Sequence, residues 1–161
     1  MNTIVLLLGG NLGNKLENLS KARLMIENML GRVIQKSSIY GSEPWGFIST
    51  EIFFNQVIVI ESELNPFETI NKLQNIEDIL GRIRDSNKWI SRTMDIDILF
   101  FNSEIINNDK LTIPHKLMQD RRFVLFPLHE IMKDFIHPVI QKSIGELLEI
   151  CNDKGKITFI Q

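Results

Sequence analysis

Residues 3–8, TIVLLL, limit the fold more than any other stretch: six consecutive β-branched or apolar residues with no polar alternation. A strand with one wet face alternates polar and apolar side chains, so an unbroken run reads as a central strand covered on both faces. Gly9-Gly10 then breaks it. At 161 residues, 43% of them hydrophobic, the chain can bury one sizeable core and is too short for two ordinary domains. One domain over 1–161 is expected.

A helix should follow, capped by Asn14 with Glu17 three residues on, carrying Leu16, Leu19, Arg23, Ile26 and Leu30 at helical spacing and stopped by Gly31. Residues 33–40 read as one strand with a polar middle, and residues 41–51, with two glycines and a proline, as a long loop. A third strand spans 53–60. Asn65, Pro66 and Glu68 open a second helix whose buried stripe is Phe67, Ile70, Leu73, Ile76 and Leu80, ended by Gly81. After a charged loop, 82–92, comes a strand around Asp95 to Phe101. The order β-α-β-β-α-β predicts an α+β, ferredoxin-like core. Helical stretches near 121–132 and 143–151 are expected to cover the other side or the edge of its sheet.

The last of these strands holds the chemistry. Asp95 and Asp97 are two residues apart, so they share one face about 6.6 Å apart along the strand while Met94, Ile96 and Ile98 point the other way. Two such carboxylates can flank magnesium, which takes oxygen ligands and keeps phosphate and water as well. Acid pairs are common on wet strand faces, so the neighbours decide. The preceding loop carries Arg82, Arg84, Lys88, Trp89 and Arg92, and a second basic group holds Thr112, His115, Arg121 and Arg122. Arginine forks suit phosphate oxygens. Trp45, Phe53 and Phe123, with Asn55, could hold a flat heterocycle between aromatic faces and read its edge.

Other classes fit less well. The stretch 8–16, LGGNLGNKL, fails as a phosphate loop because Asn14 and Leu16 stand where Gly and Ser or Thr are needed, so its glycines turn tightly or approach a ligand. There is no acyl-transfer triad, and the single cysteine, Cys151, allows no internal disulfide and suits a reducing cytoplasm. A net charge of -2 argues against nucleic acid as partner, and no apolar run nears the length of about eighteen residues that a membrane span needs. A soluble, untargeted, cytoplasmic protein is expected, with no obligatory protein partner.

Taken together, these motifs resemble the 6-hydroxymethyl-7,8-dihydropterin pyrophosphokinases of folate biosynthesis. The likeness runs through LGGNLGN, the Ser42-Glu43-Pro44-Trp45-Gly46 loop, Phe53-Phe54-Asn55, Gly81-Arg82-Ile83-Arg84, the run from Trp89 through Arg92-Thr93 to Asp95 and Asp97, and Pro114-His115 followed by Arg121-Arg122-Phe123. The resemblance implies one pyrophosphokinase domain, a three-layer α-β-α fold with a β-hairpin and extra C-terminal helices, and transfer of pyrophosphate from ATP to the pterin hydroxymethyl group. It implies two magnesium ions on Asp95 and Asp97, with Arg82 and Arg92 as catalytic arginines. ATP would be served by Gln74, Arg84, Trp89, Ile98, Lys110, Leu111, Thr112, His115 and Arg121. The pterin would meet Ser42, Pro44, Trp45, Asn55 and Asp95 between Phe53 and Phe123.

The chain departs from the family pattern at Ile90-Ser91 and Asp85, at Phe53 and Lys116 where tyrosine is frequent, and at Ser42 where threonine is common. These changes predict altered rates or affinities and a retained reaction. Two other classes share parts of the pattern: a ferredoxin-like RNA-binding module, and a nuclease using the same two aspartates with two metals.

Overall fold

The computed structural model describes residues 1–44, 50–81 and 93–161. Among them, a six-stranded antiparallel sheet is packed between two pairs of helices. Strand β1 (Asn2–Gly10) lies inside the sheet, hydrogen-bonded to β4 (Phe53–Ser62) on one side and β5 (Asp95–Phe101) on the other. Strand β4 is long enough to pair along one half with β2 (Gly31–Lys36) and along the other with β3 (Tyr40–Ser42), which pairs in turn with β8 (Ile157–Phe159).

Helices α1 (Lys15–Met29) and α2 (Pro66–Ile79) cover one face. Their Leu19, Ala22, Ile26, Leu73 and Ile76 bury against Ile4, Leu6, Leu8, Ile58, Ile60, Ile96 and Ile98. Helices α3 (Arg122–Met132) and α4 (Ile144–Ile150) cover the other, packing Val124, Leu125, Leu128, Ile144 and Leu147 on Val5, Leu7, Val57, Val59, Leu99 and Phe100. Alternate residues of β1 thus enter two cores, which is why 3–8 has no polar position. Each such side chain contributes about 1.5–3 kcal/mol by leaving water.

The expected helix starts are present. The Asn14 side chain accepts from Glu17 N, and Asn65 and Glu68 form a reciprocal capping box ahead of Pro66. Gly31 matters for another reason: a Cβ there would lie 2.0 Å from the Glu61 carbonyl oxygen, so only glycine lets β2 start at that register.

Two expectations need correction. Residues 33–40 are not one strand. Ser37 still gives its N–H to the Val57 carbonyl but accepts the Val57 N–H on Oγ, the Gln56 side chain donates to the Ser37 carbonyl, and Ile39 pairs with residues 160 and 161. Phe67, expected in the buried stripe of the second helix, is 42% exposed. It is the second residue of α2, and burial begins later, at Thr69. Strand β8 carries too short a pattern to have been read at all.

After β5 the chain forms a two-stranded hairpin, β6 (Ile106–Asn107) with β7 (Thr112–Ile113). Asn108 closes its turn by accepting from the N–H groups of Lys110 and Leu111. The Leu99 carbonyl accepts from His115 N, which ties the segment after the hairpin to the outer edge of β5. Among the described residues no helix is long and apolar enough to cross a membrane.

Candidate active site

Register brings the sequence-marked residues together. Tyr40 stands opposite Asn55, Asn55 opposite Gly9, and Gly9 opposite Asp95, so one row crosses β3, β4, β1 and β5. In the adjacent row Leu7 faces Asp97. By alternation, Phe53, Asn55, Asp95 and Asp97 point toward the α3/α4 side, while Phe54 and Ile96 join the α1/α2 core. Asp95 and Asp97 are half-buried on one face, as their spacing requires. The Ile96 N–H between them donates to Oε1 of buried Glu77 on α2 at 2.8 Å, which pins this part of β5 from behind.

The row has a glycine floor at Gly9. Asn55 is 2% exposed and donates through Nδ2 to Ser42 Oγ at 2.7 Å, which turns its Oδ1 over Gly9. A Cβ on Gly9 would sit 2.9 Å from that oxygen. Only glycine lets the Asn55 amide lie this close to the β1 backbone, in the same row as Asp95.

The first turn of α3 borders the site. Buried Arg121, which precedes α3, lies over the Phe123 ring, its guanidinium carbon 5.7 Å from the ring centroid, and Phe123 itself is half-buried at the margin of the second core. His115 comes within 3.9 Å of Asp97, Nε2 to Oδ2. Burial pulls the His115 pKa down to about 4; the Arg121 cation adds to this and Asp95 opposes it. At neutral pH the ring is therefore uncharged and the approach is not an ion pair. Its Nδ1 accepts from Leu117 N at 3.3 Å, so the proton belongs on Nε2, a donor aimed toward the acids.

A second polar group braces the pocket wall. Glu130 on α3 accepts from Ser38 N–H and Oγ, both at 3.0 Å, and from the Tyr40 hydroxyl. Burial and the neighbouring carboxylate push the Tyr40 hydroxyl up to about 12. The wall bearing Ser42 and the helix bearing Phe123 are thereby tied to each other.

Not every expected residue arrives. Gln74 is exposed on α2, in the layer opposite the acids. The side chains of Ile98 and Leu111 enter the α1/α2 core, so only their main chains can meet a ligand. Lys110 is exposed and Thr112 half-buried on the hairpin, and Pro44 is half-buried just after β3. Trp45, Arg82, Arg84, Trp89 and Arg92, together with the departures at Asp85 and Ile90-Ser91, lie outside the described residues. Sequence reasoning missed Glu77 and Tyr40, since a lone acid beside an apolar stripe and a tyrosine at a strand start carry no signal of their own.

The profile of the family described as 7,8-dihydro-6-hydroxymethylpterin-pyrophosphokinase matches residues 5–133. The chain belongs to this family. It is similar to the 2-amino-4-hydroxy-6-hydroxymethyldihydropteridine pyrophosphokinase of Haemophilus influenzae, 40% identical over 150 residues that make up 92% of this chain and 92% of that one. The Bacillus subtilis protein of the same name is 41% identical over 133 residues, 81% of this chain and 79% of its own. In fold the chain is similar to the Plasmodium falciparum HPPK-DHPS, solved as wild type with SDX-DHP, with a TM-score of 0.73 at 19% identity. That match covers 92% of this chain, which spans 43% of the longer Plasmodium one. Membership joins the row of Asn55, Gly9 and Asp95 to a family whose very description names a pterin and a pyrophosphate transfer.

Proposed function

We propose that the protein transfers the terminal diphosphate unit of ATP to the hydroxymethyl group of 6-hydroxymethyl-7,8-dihydropterin, giving the pterin diphosphate and AMP, a step of folate biosynthesis. The observation that carries this reading is the single sheet face on which an amide, the glycine it lies against and two carboxylates follow one another. The Asn55 amide reads the edge of a flat ring, and Asp95 and Asp97 wait where a phosphate chain would meet its substituent. The hydroxyl oxygen bonds to the β-phosphorus, the bond from that phosphorus to the α–β bridging oxygen breaks, its electrons leave with AMP, and the hydroxyl proton is released. Such a transfer needs positioning and charge neutralisation more than a covalent nucleophile.

The donor set fits magnesium. Two carboxylates share a face, the nearby histidine is neutral, and among the described residues no third His, Cys, Asp or Glu completes a closed metal cage. Asp95 and Asp97 therefore suit a cation that brings phosphate and water ligands of its own. Bound there, magnesium supplies charge neutralisation of the phosphates; two ions are the proposed number. His115, through Nε2–H, and Arg121 would donate to phosphate oxygens, with Thr112, Lys110, Gln74 and the main chains of Ile98 and Leu111 on the nucleoside side. Phe53 and Phe123 would hold the pterin ring faces, and Ser42, Pro44 and Trp45 its rim. Arg82 and Arg92 are assigned to transition-state charge, and Arg84 and Trp89 to ATP, by resemblance alone.

The strand order β5-β1-β4-β2 supports a ferredoxin-like core extended by the hairpin, α3 and α4. The reading takes 1–161 as one pyrophosphokinase domain acting on small molecules in the cytoplasm. Phosphorus NMR of the protein with ATP, magnesium and the pterin tests it. Pterin-dependent AMP with a new pterin diphosphate is expected; ADP in its place, or no turnover with verified substrate, overturns it.

A further inference from the structure

The stretch that failed as a phosphate loop has a different set of partners. Asn11, 0% exposed, donates through Nδ2 to the Glu51 carbonyl at 3.4 Å. Lys15 Nζ donates to the Ile52 carbonyl at 3.0 Å, pairs with Glu51 Oε2 at 3.2 Å, and stands 4.8 Å from the centroid of the Phe54 ring. These contacts fall on residues 51, 52 and 54 and bracket Phe53. Phe54, which Lys15 covers, belongs to the α1/α2 face, whereas Phe53 and Asn55 face the other way.

The placement of Lys15 is costly on its own. It is the first residue of α1, where the positive end of the helix disfavours a cation, and its side chain is only 16% exposed. A lysine side chain laid down at a helix start is held there by fixed oxygens that offset that cost. Here those oxygens belong to the two residues that lead into β4. A solvated lysine would have no reason to settle there.

We propose, resting on the pyrophosphokinase reading above, that Asn11 and Lys15 are positioning residues for the pterin pocket: they clamp 51–54 from behind and so set Phe53 and Asn55 for the acceptor. Neither touches the substrate. Their loss weakens the acceptor and leaves the nucleotide alone.

The test compares wild type with Lys15→Met, Lys15→Arg and Asn11→Ala, measuring kcat, KM for each substrate, and pterin affinity by titration in the presence of magnesium and a non-hydrolysable ATP analogue. Lys15→Met and Asn11→Ala are expected to weaken pterin binding about tenfold, with KM for ATP within about twofold, and Lys15→Arg to recover most of the loss. Equal losses for ATP and pterin, or unchanged pterin affinity in a variant with a lower melting temperature, overturn the proposal. Glu51→Gln covers the case in which Lys15→Met does not fold, because the Glu51 side chain is 58% exposed and the substitution takes the charge out of the pair. Weaker pterin binding supports the clamp and unchanged binding refutes it. A wild-type protein that binds no pterin sinks the functional reading itself; a normal wild type with indifferent variants sinks only the clamp.

Discussion

Strand β5 carries both faces of the sheet in seven residues, and they differ. Toward α1 and α2 it sends Ile96, Ile98 and Phe101 into a hydrophobic core. Toward α3 and α4 it sends Leu99 and Phe100 into a core at one end, and Asp95 and Asp97 at the other. A bulge makes the division possible: Val5 pairs with Phe100 and Leu6 with Ile98, so the extra residue Leu99 joins Phe100 on the same side. The second pair of helices therefore covers half a face, and the uncovered half is where polar groups can meet a ligand without being desolvated by the fold itself. One face is for stability, the other is shared.

If that division holds, substitutions on the two faces should separate stability from activity. The largest stability effect belongs to Phe101→Ala, which removes a ring that is 1% exposed in the first core. It should cost about 3–5 kcal/mol in urea unfolding and lower the melting temperature by roughly 10 °C, with activity per folded molecule retained. A drop in activity of the folded fraction would break the comparison.

Gly9→Ala sharpens it at the boundary between core and site. The added methyl meets Asn55 Oδ1 at 2.9 Å, so the amide must shift. KM for the pterin should rise about tenfold, equivalent to about 1.4 kcal/mol, with ATP binding unchanged. Equal effects on both substrates would show that the glycine floor is not an acceptor feature.

The smallest effect is on pH dependence, and it lies at the core end of the shared face. His137 is buried against Phe100, and its Nδ1 accepts from the N–H groups of Val139 and Ile140. Burial lowers its pKa, as it lowers that of His115 to about 4. Both rings fold neutral, so their contribution is complete above the ordinary histidine pKa of about 6.5 and is lost as pH falls through the lowered values, because the unfolded chain takes up protons first. Unfolding free energy should decrease from pH 7 toward pH 4, with a shallower slope in His137→Asn, which keeps an acceptor and does not titrate. An unchanged slope would remove His137 from the account.

The fold was legible where local chemistry and burial agree. Asp95–Phe101 was recognisable as a strand, Asn14 and Asn65 as caps, and residues 121–132 as a helical stretch, because each signal lies within a few residues. The break at Ser37–Ile39 was not, since it depends on Gln56, Val57 and Gln161, which only the fold brings near. The same holds within the site. The paired aspartates announce themselves by spacing, and Asn55 and Phe53 by resemblance. Gly9 acquires its role from Asn55 across two strands, and Glu77 from Ile96 across the sheet. Contacts of that kind leave no trace in composition or period.

The most direct test of the central claim, that the uncovered carboxylates of β5 carry the chemistry and not the fold, is phosphorus NMR of Asp97→Ala with ATP, magnesium and 6-hydroxymethyl-7,8-dihydropterin, paired with its melting curve. Asp97 is half-exposed and lies in neither core, so the melting temperature should stay within roughly 3 °C of wild type while AMP formation falls at least about 1000-fold. Near-normal AMP formation by the folded variant would contradict the assignment of metal and phosphate to this face.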